Sequence, residues 1–170
     1  VSYILFIGTG FLLGVANGVI PVISYNFGAN AMRRVIRTVR LAVGTNFLIG
    51  AVALLILQLA AGTIIRLFID PSETEVIDLA TRGAQLLSLA FLFNGFNIFA
   101  ASFFTAIDKA GLSLVVASLR GLVLLVVGLL TLPHIWGVDG IWLTVVLAES
   151  LTFAVAVILV ILKLKRLRKG

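Results

Sequence analysis

The chain has 170 residues, of which 61% are hydrophobic and only 12% charged, whereas a soluble domain ionises about a quarter of its residues. With a mean hydropathy of +1.22, this composition calls for an all-α integral membrane protein. The net charge of +6 gathers at the ends of apolar runs, which reads as membrane orientation and excludes a nucleic-acid surface. No cysteine is present and His134 is the single histidine, which excludes a disulfide framework, a thiol nucleophile and a Cys/His metal cluster.

A bilayer core takes about 20 apolar residues per crossing helix, and the runs poor in charge predict five spans, at residues 3–28, 41–65, 83–107, 112–132 and 140–162. No basic stretch precedes the opening run at Val1, so it does not read as a signal peptide. At 100° per residue, Tyr3, Gly10, Gly14, Asn17, Pro21, Ser24 and Gly28 fall on one face of the first span and Val15, Val19 and Val22 on the other. The first face is small and polar; the second is expected to meet lipid. Gly10, Gly14 and Gly18 also make the small-xxx-small pattern of close helix packing. Two readings follow: a packing seam with a proline kink, or a kinked helix lining a hydrated cavity. Arg33, Arg34, Arg37 and Arg40 come next and are expected to anchor a bent elbow.

Between the second and third spans, Asp70, Pro71 and Ser72 predict a turn, with Ser72 as helix N-cap and Glu75 as its capping-box partner. In the third span Gly83, Ala90, Asn94, Asn97, Ala101 and Thr105 share one face, opposite Phe96, Phe99 and Phe103. Asn94 lies roughly 16 Å along the helix from Gly83, near the middle of the bilayer core. Two amides at that depth predict either an interhelical hydrogen-bond pair or a cavity wall that offers donors and acceptors to a substrate or cation. Arg120 and Glu149 are the charges set deep inside the fourth and fifth spans, each roughly 13 to 14 Å from its end. An unpaired charge there is costly, so an ion pair between them is expected, with a proton relay or substrate counterion role for Glu149 as the alternative.

Orientation follows from the basic residues. Arg33, Arg34, Arg37, Arg40, Lys109, Arg120, Lys163, Lys165, Arg166, Arg168 and Lys169 fall on one side, against Arg66 and Arg82 on the other. This predicts a cytoplasmic C-terminus, and an odd number of spans entered from outside predicts further sequence upstream.

The segment "GVIPVISYNFGANAMRRVIRTVRLA" resembles the elbow after the eighth helix of multidrug and toxic compound extrusion (MATE) transporters. "FFTAIDKAGLSLVVASLRGLVLL" and "LPHIWGVDGIWLTVVLAESLTF" resemble the regions joining the tenth to the eleventh and the eleventh to the twelfth helix, in the same order. Ile20 stands where many members have Gln, and Val127 where a mid-helix Pro is common. The resemblance implies that residues 1–170 form most of the six-helix C-terminal lobe of a twelve-helix transporter, five spans of six, with the N-terminal lobe missing. It also implies a cell-membrane antiporter that exports organic, often cationic compounds by alternating access. Sodium or proton entry would drive it, with no cofactor, and its partners would be the lipid bilayer, small organic substrates and the missing lobe. Some members carry a cation-binding Asp in the tenth helix, where Asn94 stands here; a neutral amide releases no proton. Asn17, Pro21, Ser24, Asn94 and Asn97 are the candidate cavity-lining residues, and Arg120 with Glu149 the candidate intramembrane pair.

A membrane enzyme would need clustered catalytic groups at one face, but Asp70, Glu73, Glu75 and Asp78 read as a solvated helix end. A lipid-linked oligosaccharide flippase of the same superfamily would need several cations in its cavity to hold pyrophosphate, and only Arg120 qualifies. A non-transporting membrane fragment is the third alternative.

Overall fold

In the computed structural model, the described residues are 2–167 for the backbone and 6–167 for the side chains; Arg168, Lys169 and the Tyr3 side chain lie outside them. Among these residues there is no strand. The first helix, α1 (Ser2–Gly28), continues through Pro21 and ends in a turn closed by Asn30 in the left-handed region, φ 54°. There Ala31 N–H donates to the Asn26 carbonyl at 2.9 Å and Asn30 N–H to that of Phe27 at 3.0 Å. These are the two bonds of a Schellman motif, and Asn tolerates its left-handed position better than most residues. The next helix, α2 (Met32–Ile65), starts well before the apolar run expected at 41–65 and takes up all four arginines. They sit on exposed helical positions and not in a loop, so the elbow itself is short.

The third span is not one straight helix. It consists of α3 (Thr74–Ser88) and α4 (Phe91–Ala106), bent by 49° at the break between them. At the break the backbone shifts to the tighter i−3 pattern, with Leu89 N–H on the Leu86 carbonyl at 3.2 Å and Ala90 N–H on that of Leu87 at 3.0 Å. Gly50 of α2 lies directly against the Phe91 carbonyl, where a Cβ would collide. Ser72 does not cap α3: its N–H and hydroxyl both donate to the Asp70 carboxylate, at 2.9 and 2.7 Å, and the capping position falls to Glu73 with no side-chain bond. A local Asx turn has thus taken the hydroxyl that the capping box required. These two bonds hold the exposed Asp70 carboxyl below its ordinary pKa.

A second Schellman turn, with Asp108 at φ 55°, leads into α5 (Ala110–Ser118), a π-helical turn (Leu119–Val123) and α6 (Leu124–Leu167). Gly137 reverses the chain inside α6 with φ 56° and ψ −135°, a conformation that a Cβ disfavours. The two arms pack as an antiparallel hairpin: a Cβ on Gly128 would come within 2.6 Å of Thr144, and one on Gly140 would strike the Leu132 carbonyl. Three helical stretches, Phe6–Gly28, Met32–Ile65 and Ala110–Leu167, are long and apolar enough to cross a membrane, and the bent α3–α4 pair passes as another. Because the last stretch doubles back at Gly137, it supplies two antiparallel arms, and the described residues form an all-α bundle with five apolar spans.

Among the described residues the largest buried cluster lies at the basic end, where Ile23, Val35, Val39, Phe99, Phe103, Phe104, Ile107, Val116 and Val160 pack together. A smaller cluster of Ala61, Ile65, Ile77 and Ala84 closes the other end, beside an ion pair between Arg82 and Asp139. In α1 the core face runs through Leu12, Ala16, Ile23 and Asn26. Val15 and Val19, expected on a lipid face, are half-buried, and Val19 packs on the main cluster; only Val22, at 45%, is open. The fully buried Ala16 belongs instead to a cluster with Leu12, Leu57 of α2, and Phe91 and Ile98 of α4. The Gly10, Gly14 and Gly18 stripe has nothing within 4 Å of where a Cβ would stand. It is therefore no seam within this lobe.

Candidate functional site

The polar centre of the bundle is built by α4, the π turn and the second arm of α6. Arg120 sits in the π turn, a local widening of the helix often found at functional positions. Its Nε donates to one Glu149 carboxylate oxygen at 3.1 Å, and a terminal nitrogen stands 3.0 Å from the same oxygen as an ion pair. A terminal nitrogen also donates to the Asn94 side-chain carbonyl at 2.8 Å. Asn97 completes the set from α4, its amide nitrogen donating to the Glu149 carbonyl at 2.8 Å and to its other carboxylate oxygen at 2.7 Å. Four side chains from three spans thus satisfy one buried carboxylate and one guanidinium. Glu149 keeps 7% of its side chain exposed and Arg120 keeps 24%, so the arginine forms the open side of the network.

This arrangement divides the candidate residues. Asn94, half-buried beside Arg120, retains contact with the open side. Asn97, expected on the cavity wall, is wholly enclosed. The helix packs α4 against α6 on the Asn97 side, and an amide spent on Glu149 inside the bundle cannot face a groove. Asn17, Pro21 and Ser24 lie on the exposed face of α1, and among the described residues no hydrogen bond links them to the network. Ser24 donates instead to the Ala106 carbonyl at 3.0 Å, tying the end of α1 to the end of α4.

Other polar groups escaped the reading of the sequence. Gln58 of α2 donates to the Gln85 carbonyl and the Ser88 hydroxyl, both at 3.0 Å, while Gln85 returns a bond to the Gln58 carbonyl at 3.3 Å. Asn46 is fully buried against Gly95 of α4, with neither amide atom bonded, and the Asn97 carbonyl and Thr152 hydroxyl oxygens are likewise without a partner. An amide set among the apolar residues of the 41–65 run, where Gln58 is the other, was the available signal for Asn46. A groove of about 450 Å³ between α1 and α2 is lined by residues such as Ile7, Phe11, Leu48, Val52 and Phe91 and includes none of the candidates. Among the described residues no three His, Asp or Glu side chains gather to hold a metal.

Comparison with known proteins gives this geometry its context. The MatE family model matches residues 1–130. The chain is 26% identical over 158 residues to the multidrug export protein MepA of Staphylococcus aureus, covering 92% of this chain and 34% of that protein. It is 25% identical over 149 residues to the protein of the same name from Staphylococcus haemolyticus, covering 88% and 32%. The chain therefore spans about a third of the length of these relatives. Among solved structures, a multidrug resistance MATE family transporter of the MOP superfamily in its outward-facing conformation superposes with a TM-score of 0.89 at 21% identity, over 98% of this chain and 38% of that one. A MOP superfamily transporter from Pyrococcus furiosus gives 0.90 at 20% identity, over 99% and 38%.

Proposed function

Because the chain belongs to the MatE family, we propose that residues 1–170 are most of the C-terminal lobe of a secondary transporter that exports organic, often cationic compounds by alternating access. The observation that carries this reading is coverage: the family match takes in residues 1–130 and the fold likeness 98% of the chain. The remaining length of the relatives supports a further lobe that supplies the other half of the substrate path. In this reading Asn17, Pro21 and Ser24 on the open face of α1, with Asn94, line that path. Arg120 and Glu149 hold the fourth and fifth spans in register beneath it. Coupling is to sodium or proton entry. Glu149 is already engaged by Arg120 and Asn97, which supports a coupling-ion site in the part of the transporter outside this chain. The C-terminus faces the cytoplasm of a cell-membrane protein, as its basic end favours.

The lipid-linked oligosaccharide reading has less support, since among the described residues Arg120, the cation set inside the bundle, is neutralised by Glu149. The test is ethidium efflux from an efflux-deficient bacterium that expresses the chain joined to its N-terminal lobe, with sodium and proton gradients collapsed in turn. Efflux that stops with one of the two gradients is expected. Absence of efflux under both, with movement of lipid-linked oligosaccharide in vesicles, would overturn the proposal.

A further inference from the structure

At the basic end, the start of α5 and the last turns of α6 leave a groove of about 160 Å³ lined by Leu112, Leu159, Leu162, Lys163 and Arg166. Soluble organic ligands occupy pockets of about 300–1,000 Å³, so this groove is too small for an exported compound. Its surface is almost wholly apolar and is bordered by Lys163 and Arg166, a combination that suits an amphiphile. Neither Lys163 nor Arg166 has an acidic partner among the described residues. Lys109, one helical turn before Leu112, stands at the N-cap of α5 with no side-chain bond closing that helix end, so the partial positive charge of the helix start adds to theirs. Asp108, exposed and adjacent to Lys109, is the one acid at this end.

We propose that this groove binds an anionic phospholipid, with an acyl chain lying on Leu112, Leu159 and Leu162 and the headgroup phosphate held by Lys163 and Arg166. Unpaired cations at the rim complement an anionic headgroup, whereas a second copy of this chain would bring the same positive charge. The apolar floor separates the site from one for a free anion, which would gain nothing from three leucines. The inner leaflet, where the proposed orientation places this end, carries the anionic lipids such a site requires.

The experiment is native mass spectrometry of the full chain in detergent, with phosphatidylglycerol and phosphatidylcholine of the same acyl composition supplied in equal amounts. Phosphatidylglycerol adducts should dominate, and K163Q and R166Q should each weaken them about fivefold, the contribution of one basic side chain beside an anionic lipid. L162N, at a half-exposed wall position, should weaken both lipids. K165Q, an exposed lysine outside the groove, should change neither; circular dichroism checks that each variant stays helical. Equal binding of the two lipids, loss with K165Q as large as with R166Q, or displacement of phosphatidylglycerol by millimolar inorganic phosphate would each overturn the proposal. The last outcome would make it a site for a soluble anion.

Discussion

Asn97 gives its amide nitrogen to Glu149 twice, once to the backbone carbonyl at 2.8 Å and once to the carboxylate at 2.7 Å. The third span therefore holds both the main chain and the side chain of the fifth. One carboxylate oxygen is left for Arg120.

Asn97→Asp places a second carboxylate against the Glu149 oxygen in an enclosed position and removes the donor. It is expected to destabilise the chain more than Asn97→Ala, for which about 1 to 3 kcal/mol follows from leaving a buried acceptor unpaired. Thermal unfolding in detergent, followed by circular dichroism, ranks the two. An Asp variant as stable as the Ala variant would mean that the carboxylate has a different neighbour.

Arg120→Ala and Glu149→Ala each leave a buried, unpartnered charge, a loss of about 3 to 5 kcal/mol for a desolvated pair. Because 24% of the Arg120 side chain is exposed, the cost should fall toward the lower end for Glu149→Ala, where the surviving arginine can turn outward. The double variant should be milder than the sum. A double-mutant cycle with no coupling energy would end the pairing.

Gly50→Ala drives a methyl group into the Phe91 carbonyl, and Gly14→Ala meets nothing within 4 Å. The first should lower stability by about 1 to 3 kcal/mol, the range for overpacking, and the second should leave the melting temperature of this chain unchanged or raise it slightly, since Ala favours the helix over Gly. If both shift it alike, the α2–α4 contact is not as close as described.

A tag inserted between Asp70 and Asp78 should be labelled from outside intact cells, and an activity reporter after Gly170 should work in the cytoplasm. The opposite pattern in both positions would reverse the orientation drawn from the basic residues.

Span number was legible because the length of an apolar run is fixed by the bilayer and charge marks its ends. The bend between α3 and α4 left no such mark: Leu89 and Ala90 are ordinary helix formers, and the break lies where Gly50 of another helix comes against the Phe91 carbonyl. Charges buried in apolar runs stand out, so Arg120 and Glu149 could be singled out by depth alone. Amides are quieter. Asn94 and Asn97 share a helix face, but their division into a half-open and an enclosed partner depends on how α6 crosses α4, which no periodicity encodes. The role expected of Ser72 failed for a local reason, since Asp70 two residues earlier competes for the same hydroxyl.

The reversal at Gly137 sets an order of events during synthesis. Arg120 and Glu149 are 29 residues apart in the chain, so the arginine leaves the ribosome roughly one to six seconds ahead of its partner at about 5–20 residues per second. During that interval the fourth span carries an unneutralised cation that lipid rejects. It is expected to stay at the aqueous boundary or in the insertion channel until the chain has turned at Gly137 and delivered Glu149. The two arms are then expected to partition into the bilayer together, as a hairpin whose internal arginine and glutamate are paired.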